Sequence, residues 1–537
     1  MSKIPNFYSP TTVHDLPYFT TDLVRPVSYL GDKRRDENYS QLSDCLQQEG
    51  LTSLNRQSDD DAQRRRYSRL LNNNLCDDRR FIEFAVHRSL HGTSSSACSF
   101  PDHYIIPSDG SQIALKSAMG QLTRRKSQLG RLNDNKTPGI HIHACLAMDA
   151  RSQSIVGLSD LILFERSQRL SEEETHRHSS GKTTADFSKD KRETYAWQQG
   201  ADNSRRVLGR GGSNRRTHVF DRDGDSKTIL NHLLRYCHDR TQGGSDDFVI
   251  RCQYRKRNFQ VQSISDAPAD LQGVPWLNTG SDHSPKSRDV PQKSIEELLN
   301  ERPFYQRTYK VELRAFDFKN TSHKRRKRKK RKAKIKLKSL LLAVMDSDGN
   351  WHRLHIVQAW ENPSKLPKGE RKTAINWLLL TNNEVTCFEQ ALEMVGYYRK
   401  RWHIEQLFRV VKKQGLQVES AQLGSPTALK RLIIMMMENA AKVLKLVGAR
   451  SGETSESIRA VFDKQEVLLL KRLNLKYEGK TEKQKNPYQE TSLSYGAWII
   501  ARMGGWKGYK ARLPGPITME RGLDKFLTIF EAWTYIN

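Results

Sequence analysis

The sequence predicts an α/β protein built on a sheet of mixed strand direction. Three apolar runs of strand length come first, at His103–Pro107, Ile140–Met148 and Ser154–Phe164. A strand–helix–strand pattern follows, at Thr217–Phe220, Lys227–Tyr236 and Phe248–Tyr254. Strands in succession, and then strands separated by a helix, together indicate this fold class.

The chain before this sheet is predicted to be helical at least in part. Residues 1–60 are polar and weakly periodic, so they form either a small helical domain or a partly disordered arm. From Asp61 to His91 the apolar residues take helical spacing, and arginines decorate the segment. That segment is either a solvated pair of basic helices or a DNA-binding module.

Strand patterns return between about residues 255 and 379. They lie at Tyr309–Phe318, Lys334–Met345, His352–Trp360 and Asn376–Thr381. Twelve of the fifteen residues from 324 to 338 are basic. Such a charge run is typical of a localisation signal or a solvated loop. Because Lys334, Lys336 and Lys338 alternate with apolar residues, we expect a strand with one cationic face that contacts phosphate.

The chain is predicted to be helical again from Pro426 onward. Apolar residues recur there at helical spacing, at Leu429, Leu432, Ile433, Met436, Ala440, Val443 and Leu446. A second apolar helix is predicted at Tyr495–Met503. Each apolar face either packs inside the same chain or forms a dimer contact.

The charge of the chain indicates a polyanionic partner. Lysine and arginine number 90 against 61 acidic residues, which gives a net charge of +29 and a pI near 9.8. Nucleic acid is the leading candidate, because no apolar span or lipidation signal accompanies the charge. The N-terminal residues lack the apolar core of a signal peptide, so we expect a soluble, intracellular protein without a membrane partner.

Several other chemistries have no support in the sequence. The seven cysteines are scattered and lack CxxC spacing, so neither a disulfide framework nor a structural zinc site is expected. The glycine-rich stretch at 209–212 lacks the spacing of a phosphate-binding loop, and no Ser–His–Asp signature is recognisable. His141 and His143 alternate on one predicted strand and are either core residues or metal ligands.

The segment 397–413, YYRKRWHIEQLFRVVKK, carries the most informative pattern in the chain. On a helix, at about 100° per residue, one stripe contains Tyr398, Arg401, Glu405, Arg409 and Lys412. The apolar flank beside that stripe could dock the helix on a core, and it consists of Ile404, Leu407, Phe408 and Val411. One glutamate among a phenol and three cations suits a metal ion held against a phosphate backbone.

Two aspartates are the candidate partners of Glu405 at such an ion. Asp109 closes the strand pattern HYIIPSD, and Asp221 closes THVFD. Side chains at strand ends project toward the region where ligands bind in open α/β folds. The pair Asp109–Gly110 is also typical of a turn, and the acids of DRDGD are also typical of a helix N-cap cluster.

Three carboxylates in the order Asp, Asp, Glu suit catalysis by two metal ions. Magnesium prefers oxygen ligands and keeps several waters. A pair of such ions can activate a water or a 3′-hydroxyl and stabilise the leaving oxygen of an in-line phosphoryl transfer. The sequence therefore predicts DNA cutting or joining, with the surrounding cations balancing the charge of the transition state.

The spacing Tyr398-x2-Arg401-x3-Glu405-x6-Lys412 resembles the Y-(2)-R-(3)-E-(6)-K signature of DDE transposases in the insertion-sequence-four family. The resemblance covers roughly residues 60–515, loosely at its ends. It implies an RNase H-like catalytic core, at 101–254 and 380–423, interrupted by a β-sheet insertion at 255–379. It further implies an N-terminal helical domain at 1–100 that binds DNA ends and a C-terminal helical domain at 424–537 that dimerises.

Other segments are similar to pieces of that family. DRDGD resembles the segment whose first aspartate is the second catalytic acid, here Asp221, and YIIPSD resembles the strand that ends in the first, here Asp109. FVIR carries over Arg251 as a DNA-contacting arginine. NWLLLT carries over Trp377 as a tryptophan that stacks on an extruded base, whose unstacking costs a few kcal/mol.

The resemblance implies a cut-and-paste reaction with two Mg²⁺ ions, which Mn²⁺ is able to replace. The catalytic ligands would be Asp109, Asp221 and Glu405. The implied DNA-binding residues are Tyr398, Arg401, Arg409, Lys412, Arg251, Trp377, Lys327, Arg328 and Lys330. A water would cut the transposon end, the freed 3′-hydroxyl would form and then leave a hairpin, and the same hydroxyl would join target DNA.

The implied partners are double-stranded DNA, as transposon terminal repeats and target, and a second copy of the chain in a synaptic homodimer. The implied location is the bacterial cytoplasm, in association with the nucleoid. Two other hypotheses stay open. The chain could be a DNA-binding regulator or inhibitor of transposition that does not cut, or a general nuclease of the same fold without end specificity. All three predict affinity that falls steeply with salt.

Overall fold

The computed structural model describes residues 28–49, 60–92, 101–114, 129–130, 132–133, 137–165, 188–209, 214–237, 245–253, 257–261, 267–279, 291–313, 316–319, 325–413, 416, 418–421, 423, 425–509 and 513–536. The α-helices in these ranges are α1 (Lys33–Glu49), α2 (Asp61–Leu71), α3 (Asp78–His91), α4 (Ser188–Leu208), α5 (Lys227–Cys237), α6 (Ile295–Asn300), α7 (Phe388–Lys400), α8 (Trp402–Lys413), α9 (Pro426–Ala449), α10 (Lys464–Tyr477), α11 (Leu493–Met503) and α12 (Pro516–Ile536). Most of residues 1–60 and much of the polar stretch before residue 214 lie outside the described residues.

The strands in the same ranges are β1 (His103–Ala114), β2 (Gly139–Asp149), β3 (Ile155–Phe164), β4 (Arg215–Phe220), β5 (Asp246–Arg251), β6 (Asn258–Gln260), β7 (Trp276–Asn278), β8 (Gln292–Ser294), β9 (Thr308–Leu313), β10 (Phe316–Lys319), β11 (Arg325–Arg328), β12 (Arg331–Met345), β13 (Trp351–Glu361) and β14 (Asn376–Thr381). Twelve of them form one sheet in the order β3-β2-β1-β4-β5-β14-β13-β12-β7-β6-β8, with β9 paired to β12. The short strands β10 and β11 form a separate antiparallel pair.

The sheet has the mixed direction that the sequence predicts. Strands β1, β2 and β3 pair antiparallel in succession, whereas β4 and β5, which follow helices, pair parallel beside β1. Strand β14 then pairs antiparallel with β5, and β13 and β12 continue the same sheet. The α/β fold class is therefore confirmed, and the strands described between residues 255 and 379, apart from β10 and β11, extend the sheet that contains β1.

The cationic face predicted on β12 is correct in part. Lys334 and Lys336 are exposed, while the residues that alternate with them are buried. Lys338 is buried instead, and its Nζ donates a hydrogen bond to the carbonyl oxygen of Leu299, 2.5 Å away, at the end of α6. The polypeptide around α6 covers this end of the strand face. The ammonium therefore satisfies a helix C-terminus and is not available to a phosphate.

Helix α9 is the central helix of the helical half of the chain. The seven apolar residues predicted on its face are all buried, as are nearly all residues of α11. These faces pack inside the chain, so the intramolecular interpretation is correct for them. The packing includes a close approach of α11 and α12, where a Cβ on Gly522 would clash with the carbonyl oxygen of Ile500.

The N-terminal helices are fixed to α9 by buried polar contacts. Arg431 of α9 is 2% exposed and donates to the carbonyl oxygens of Leu71, 3.0 Å, and Asn73, 3.0 Å, just after α2 ends. Glu438 accepts hydrogen bonds from the Tyr39 hydroxyl at 2.8 Å and from Arg88 Nε at 2.7 Å. A buried charge is stable only when it is paired. These contacts therefore define how α1 to α3 dock.

No helix among the described residues is long and apolar enough to cross a membrane.

Candidate active site

The stripe from Tyr398 to Lys412 lies on two helices rather than on the single helix predicted. Helix α7 ends at Lys400, Arg401 forms a turn with φ −52° and ψ −28°, and α8 begins at Trp402. The Arg401 N–H bonds to the Tyr398 carbonyl at 3.1 Å, a tighter turn than an α-helix makes. Arg401 therefore lies at a helix junction, and its side chain extends toward the sheet.

The apolar flank of α8 docks this helix on the core as predicted. Its members, Ile404, Leu407, Phe408 and Val411, are between 0% and 7% exposed. Burial of four large apolar side chains stabilises the position of α8 by several kcal/mol, at roughly 1.5–3 kcal/mol each. Glu405 is thus carried on a helix that is held rigidly against strand β1 and helix α9.

Asp109 lies within β1 and not at its end, which corrects the prediction. Beyond Asp109 the strand continues to Ala114, because β2 remains paired with it along this stretch. The pairing of β1 with β4 stops earlier, at Pro107 opposite Val219. Asp109 thus lies just past the point where β4 leaves the sheet, and this brings it close to the residue that follows β4.

Asp221 is that residue, directly after Phe220 at the end of β4. One carboxylate oxygen caps a short 3₁₀ turn by accepting from the Asp223 N–H at 2.9 Å, so the N-cap interpretation of these acids is correct for Asp221. Its other oxygen lies 4.0 Å from Arg401 Nη1. Asp225 is buried and accepts from Arg257 Nη2 at 2.7 Å, so it stabilises the loop.

All three predicted carboxylates converge on the guanidinium of Arg401. Nη1 donates to Asp109 Oδ2 at 2.8 Å, and Nη2 donates to Glu405 Oε1. The side chains of Asp109 and Glu405 are 16% and 34% exposed, so the cluster faces solvent on one side. Residues far apart in the sequence thus surround one cation.

The cluster carries more negative charge than one guanidinium neutralises. Burial, and then the charge of Asp221, raise the pKa of Asp109 to about 7, although Arg401 acts in the opposite direction. Burial alone would lower the pKa of Arg401, but the acidic groups around it raise the pKa above its ordinary value. The charge and the oxygen donors of this cluster are those that Mg²⁺ requires.

The carboxylates fit a divalent cation in chemistry, but Arg401 lies where that cation would bind. Among the described residues no three carboxylate, imidazole or thiol groups are arranged to share one ion. At this cluster Asp109 Oδ2 and Glu405 Oε1 accept hydrogen bonds from the guanidinium. Asp109, Asp221 and Glu405 are the residues that could hold a metal if that side chain moved aside.

The other predicted DNA-binding residues form two groups near the cluster. Trp377 packs edge-on against Tyr398, with ring centres 5.1 Å apart, and Arg251 Nη1 donates to the Tyr398 hydroxyl at 3.3 Å. Lys412 Nζ donates to Ser111 Oγ of β1 at 2.9 Å, and Arg409 is exposed. The first group is partly buried, and the second lines the open side of α8.

Of the three predicted residues in the basic run, the structure describes the side chain of Lys330 alone. Lys330 is exposed between β11 and β12. The side chains of Lys327 and Arg328 lie outside the described part of the structure. Sequence reasoning missed Trp402, which is 46% exposed and stacks against Arg409 at 5.5 Å from ring centre to guanidinium. An aromatic residue off the apolar flank of a predicted helix was the signal available for it.

The two histidines of β2 are packed in the core. His141 stacks on Phe164, and His143 packs edge-on against Trp197 with ring centres 4.6 Å apart. Burial lowers the pKa of His143 to about 3. A neutral imidazole among apolar side chains agrees with the core interpretation.

No protein-family model matches this sequence.

Proposed function

We propose that this protein is a DDE transposase that catalyses Mg²⁺-dependent cut-and-paste transposition of DNA. The observation that carries the proposal is the convergence of Asp109, Asp221 and Glu405 on one cation, at a partly open site. The acids come from a strand, a strand end and a helix, in the order expected for the motif. The net charge of +29 supports DNA as the partner.

The sheet supports the finer proposal of an RNase H-like core. Three antiparallel strands are followed by two parallel ones, in the order β3-β2-β1-β4-β5. The first acid lies on the central strand β1, the second follows its neighbour β4, and the third lies on α8, which packs against β1. In this proposal β6 to β13 are the insertion between the two parts of the core.

Different residues of the site are proposed to bind the metal ions and the DNA phosphates. Asp109, Asp221 and Glu405 would hold two Mg²⁺ ions, which when bound activate the attacking oxygen and stabilise the leaving one. Lys412 and Arg409, on the open side of α8, would bind the phosphates that flank the reacting bond. Lys412 donates to the Ser111 hydroxyl and Arg409 is exposed beside Trp402, so both lie on the proposed DNA path.

Trp377, Tyr398 and Arg251 would support a base extruded next to the cut. Trp377 is half-buried, and its edge-on contact with Tyr398 fixes the orientation of its ring. Stacking of a base on an aromatic side chain contributes about 1–3 kcal/mol, comparable with the cost of unstacking the base. A preoriented ring next to a cation therefore suits this role.

The proposed reaction is end cleavage by water, attack of the freed 3′-hydroxyl on the opposite strand, opening of that hairpin, and joining of the same hydroxyl to target DNA. In each step one phosphorus–oxygen bond forms while another breaks. The proposed partners are transposon terminal repeats, target DNA and a second copy of the chain. The proposed location is the bacterial cytoplasm, near the nucleoid.

The test is cleavage of DNA that carries the terminal repeats of the element encoding this protein. With Mg²⁺, purified protein should release the ends, and Glu405→Gln should abolish cutting while DNA affinity remains. Glu384→Gln, at an exposed acid before α7, is the matched control and should cut normally. Intact DNA at saturating wild-type protein would refute the proposal.

The contact of Arg401 with the acids favours a second candidate. A guanidinium that neutralises the carboxylates is also compatible with a regulator or inhibitor that binds DNA without cutting it. This candidate predicts salt-dependent DNA binding by wild type and Glu405→Gln alike, and no Mg²⁺-dependent product from either. A general nuclease would instead cut DNA with and without terminal repeats.

A further inference from the structure

Arg401 is occupied by the carboxylate cluster at both of its terminal nitrogens. These nitrogens donate to Asp109 Oδ2 and Glu405 Oε1, and Nη1 is 4.0 Å from Asp221 Oδ2. The side chain is 14% exposed, so it lies inside the cluster and not on its rim. A guanidinium has five N–H donors in one plane, and a phosphate that bound the two terminal nitrogens would compete with the carboxylates for them.

The other cations of the stripe are placed differently. Lys412 donates to the Ser111 hydroxyl, and Arg409 is exposed beside Trp402. Arg401, by contrast, donates to Asp109 and Glu405.

We propose that Arg401 is an internal counter-ion, which occupies the carboxylate cluster of the free protein and leaves it for a DNA phosphate when divalent cations are bound. This inference rests on the proposed function, because it takes the three acids as the metal site. It adds that the site is closed by the chain's own cation until metal and DNA are both present.

A divalent cation and the Arg401 guanidinium exclude each other from the cluster, because they would use the same oxygens and both are positively charged. The lone pairs of Asp109 and Glu405 that accept the guanidinium hydrogens are those that a divalent cation would use. A divalent cation bound to these oxygens would also repel the Arg401 guanidinium strongly, because the site is partly buried. Metal and Arg401 therefore compete, so a bound ion requires the arginine side chain to turn outward.

The helix junction gives the side chain a place to go. Arg401 lies between α7 and α8, and further along α8 Lys412 and the exposed Arg409 lie on its open side. A phosphate there would accept the released fork in a bidentate contact. Because binding free energies are reciprocal, DNA should strengthen metal binding as much as metal strengthens DNA binding.

The first experiment measures Mn²⁺ binding to the full-length protein without DNA, by electron paramagnetic resonance. Arg401→Gln should bind Mn²⁺ about tenfold more tightly than wild type. Arg399→Gln removes the same charge from an exposed position two residues away and should leave the affinity unchanged. Glu405→Gln defines the signal that belongs to this site, and thermal melting shows whether each variant is folded.

An Arg401→Gln variant that binds Mn²⁺ no more tightly than wild type would overturn the inference and leave the proposed function intact. Absence of a Glu405-dependent Mn²⁺ site in both wild type and Arg401→Gln would overturn the proposed function as well.

A second measurement covers the case in which Arg401→Gln does not fold. A short fluorescent DNA duplex is titrated with wild type and with Arg401→Lys, with and without Ca²⁺. Wild type should gain about fivefold in DNA affinity from Ca²⁺. The lysine variant should gain less, because one ammonium replaces a bidentate fork. An equal gain in both proteins, or none in wild type, would overturn the inference.

Discussion

Replacement of Asp109 by asparagine should stabilise the folded protein at neutral and alkaline pH. In the free protein this carboxyl is mostly buried beside Asp221 and Glu405, and its pKa rises to about 7. An exposed aspartic acid has a pKa near 3.9. The folded state therefore favours the protonated form, which asparagine imitates.

The sign follows from proton linkage. Because the pKa is raised on folding, the stability that protonated Asp109 contributes is complete below about pH 4 and is lost as the pH rises through about 7. Wild type and Asp109→Asn should therefore be equally stable near pH 4. The advantage of the variant should grow between these values and level off above pH 7.

The size of the effect has an upper bound of about 4 kcal/mol, at 1.36 kcal/mol for each tenfold change in proton affinity. Local rearrangement and water entry relieve part of the strain on the ionised form. We therefore expect a gain of about 2 kcal/mol in the free energy of unfolding at pH 8. Such a gain is expected if Asp109 is the catalytic group proposed above, because charges arranged for function often cost stability.

The assay is chemical denaturation of both proteins at several pH values, in the presence of a metal chelator. Asp102→Asn, at an exposed acid just before β1, is the control and should show no comparable gain. A variant that is less stable than wild type by the same margin at pH 5 and pH 8 would refute the electrostatic account. The carboxyl would then act through hydrogen bonding alone.

Three further substitutions test the packing around the site, each by thermal or chemical denaturation. Lys338→Met should cost about 1–3 kcal/mol, because it removes the buried hydrogen bond that the ammonium donates to the Leu299 carbonyl oxygen. Lys336→Met, on the exposed part of the same strand face, should cost no more than about 0.5 kcal/mol. Equal losses of stability in the two variants would contradict the idea that Lys338 is buried and Lys336 is not. Arg431→Met should cost about 3–5 kcal/mol and make the N-terminal helices sensitive to limited proteolysis, and an unchanged digestion pattern would argue against its bridging role. Gly522→Ala should force α11 and α12 apart at a cost of about 2 kcal/mol, whereas Gly515→Ala meets open space and should be neutral.

The positions of the three acids were only partly predictable from the sequence. Asp221 could be located from its sequence, because a short apolar run ends directly before it. The sequence predicts Asp109 at the end of a strand. In the structure it lies within β1, because β2 stays paired with β1 beyond this residue. This extension depends on how β2 aligns with β1, which cannot be deduced from the sequence of β1. Local pattern thus identified the residue but not its surroundings.

Exposure of the lysines on the basic strand β12 was also only partly predictable from the sequence. The alternation of lysine with apolar residues correctly predicted exposure of Lys334 and Lys336. It failed at Lys338, which belongs to the same periodic pattern, because α6 covers that position. The arginine at the helix junction is a similar case, since its spacing predicted a phosphate ligand and its contacts are with carboxylates.

The sequence by itself determined the class of the fold, the apolar face that docks α8, and the types of charged group available to a site. Those properties depend on the period of apolar residues and on side-chain chemistry, both of which are local. Only the tertiary structure decided that Asp109, Asp221 and Glu405 meet around Arg401. Their meeting depends on the order and register of the strands and on the packing of α8 across them, which are set by contacts between distant parts of the chain.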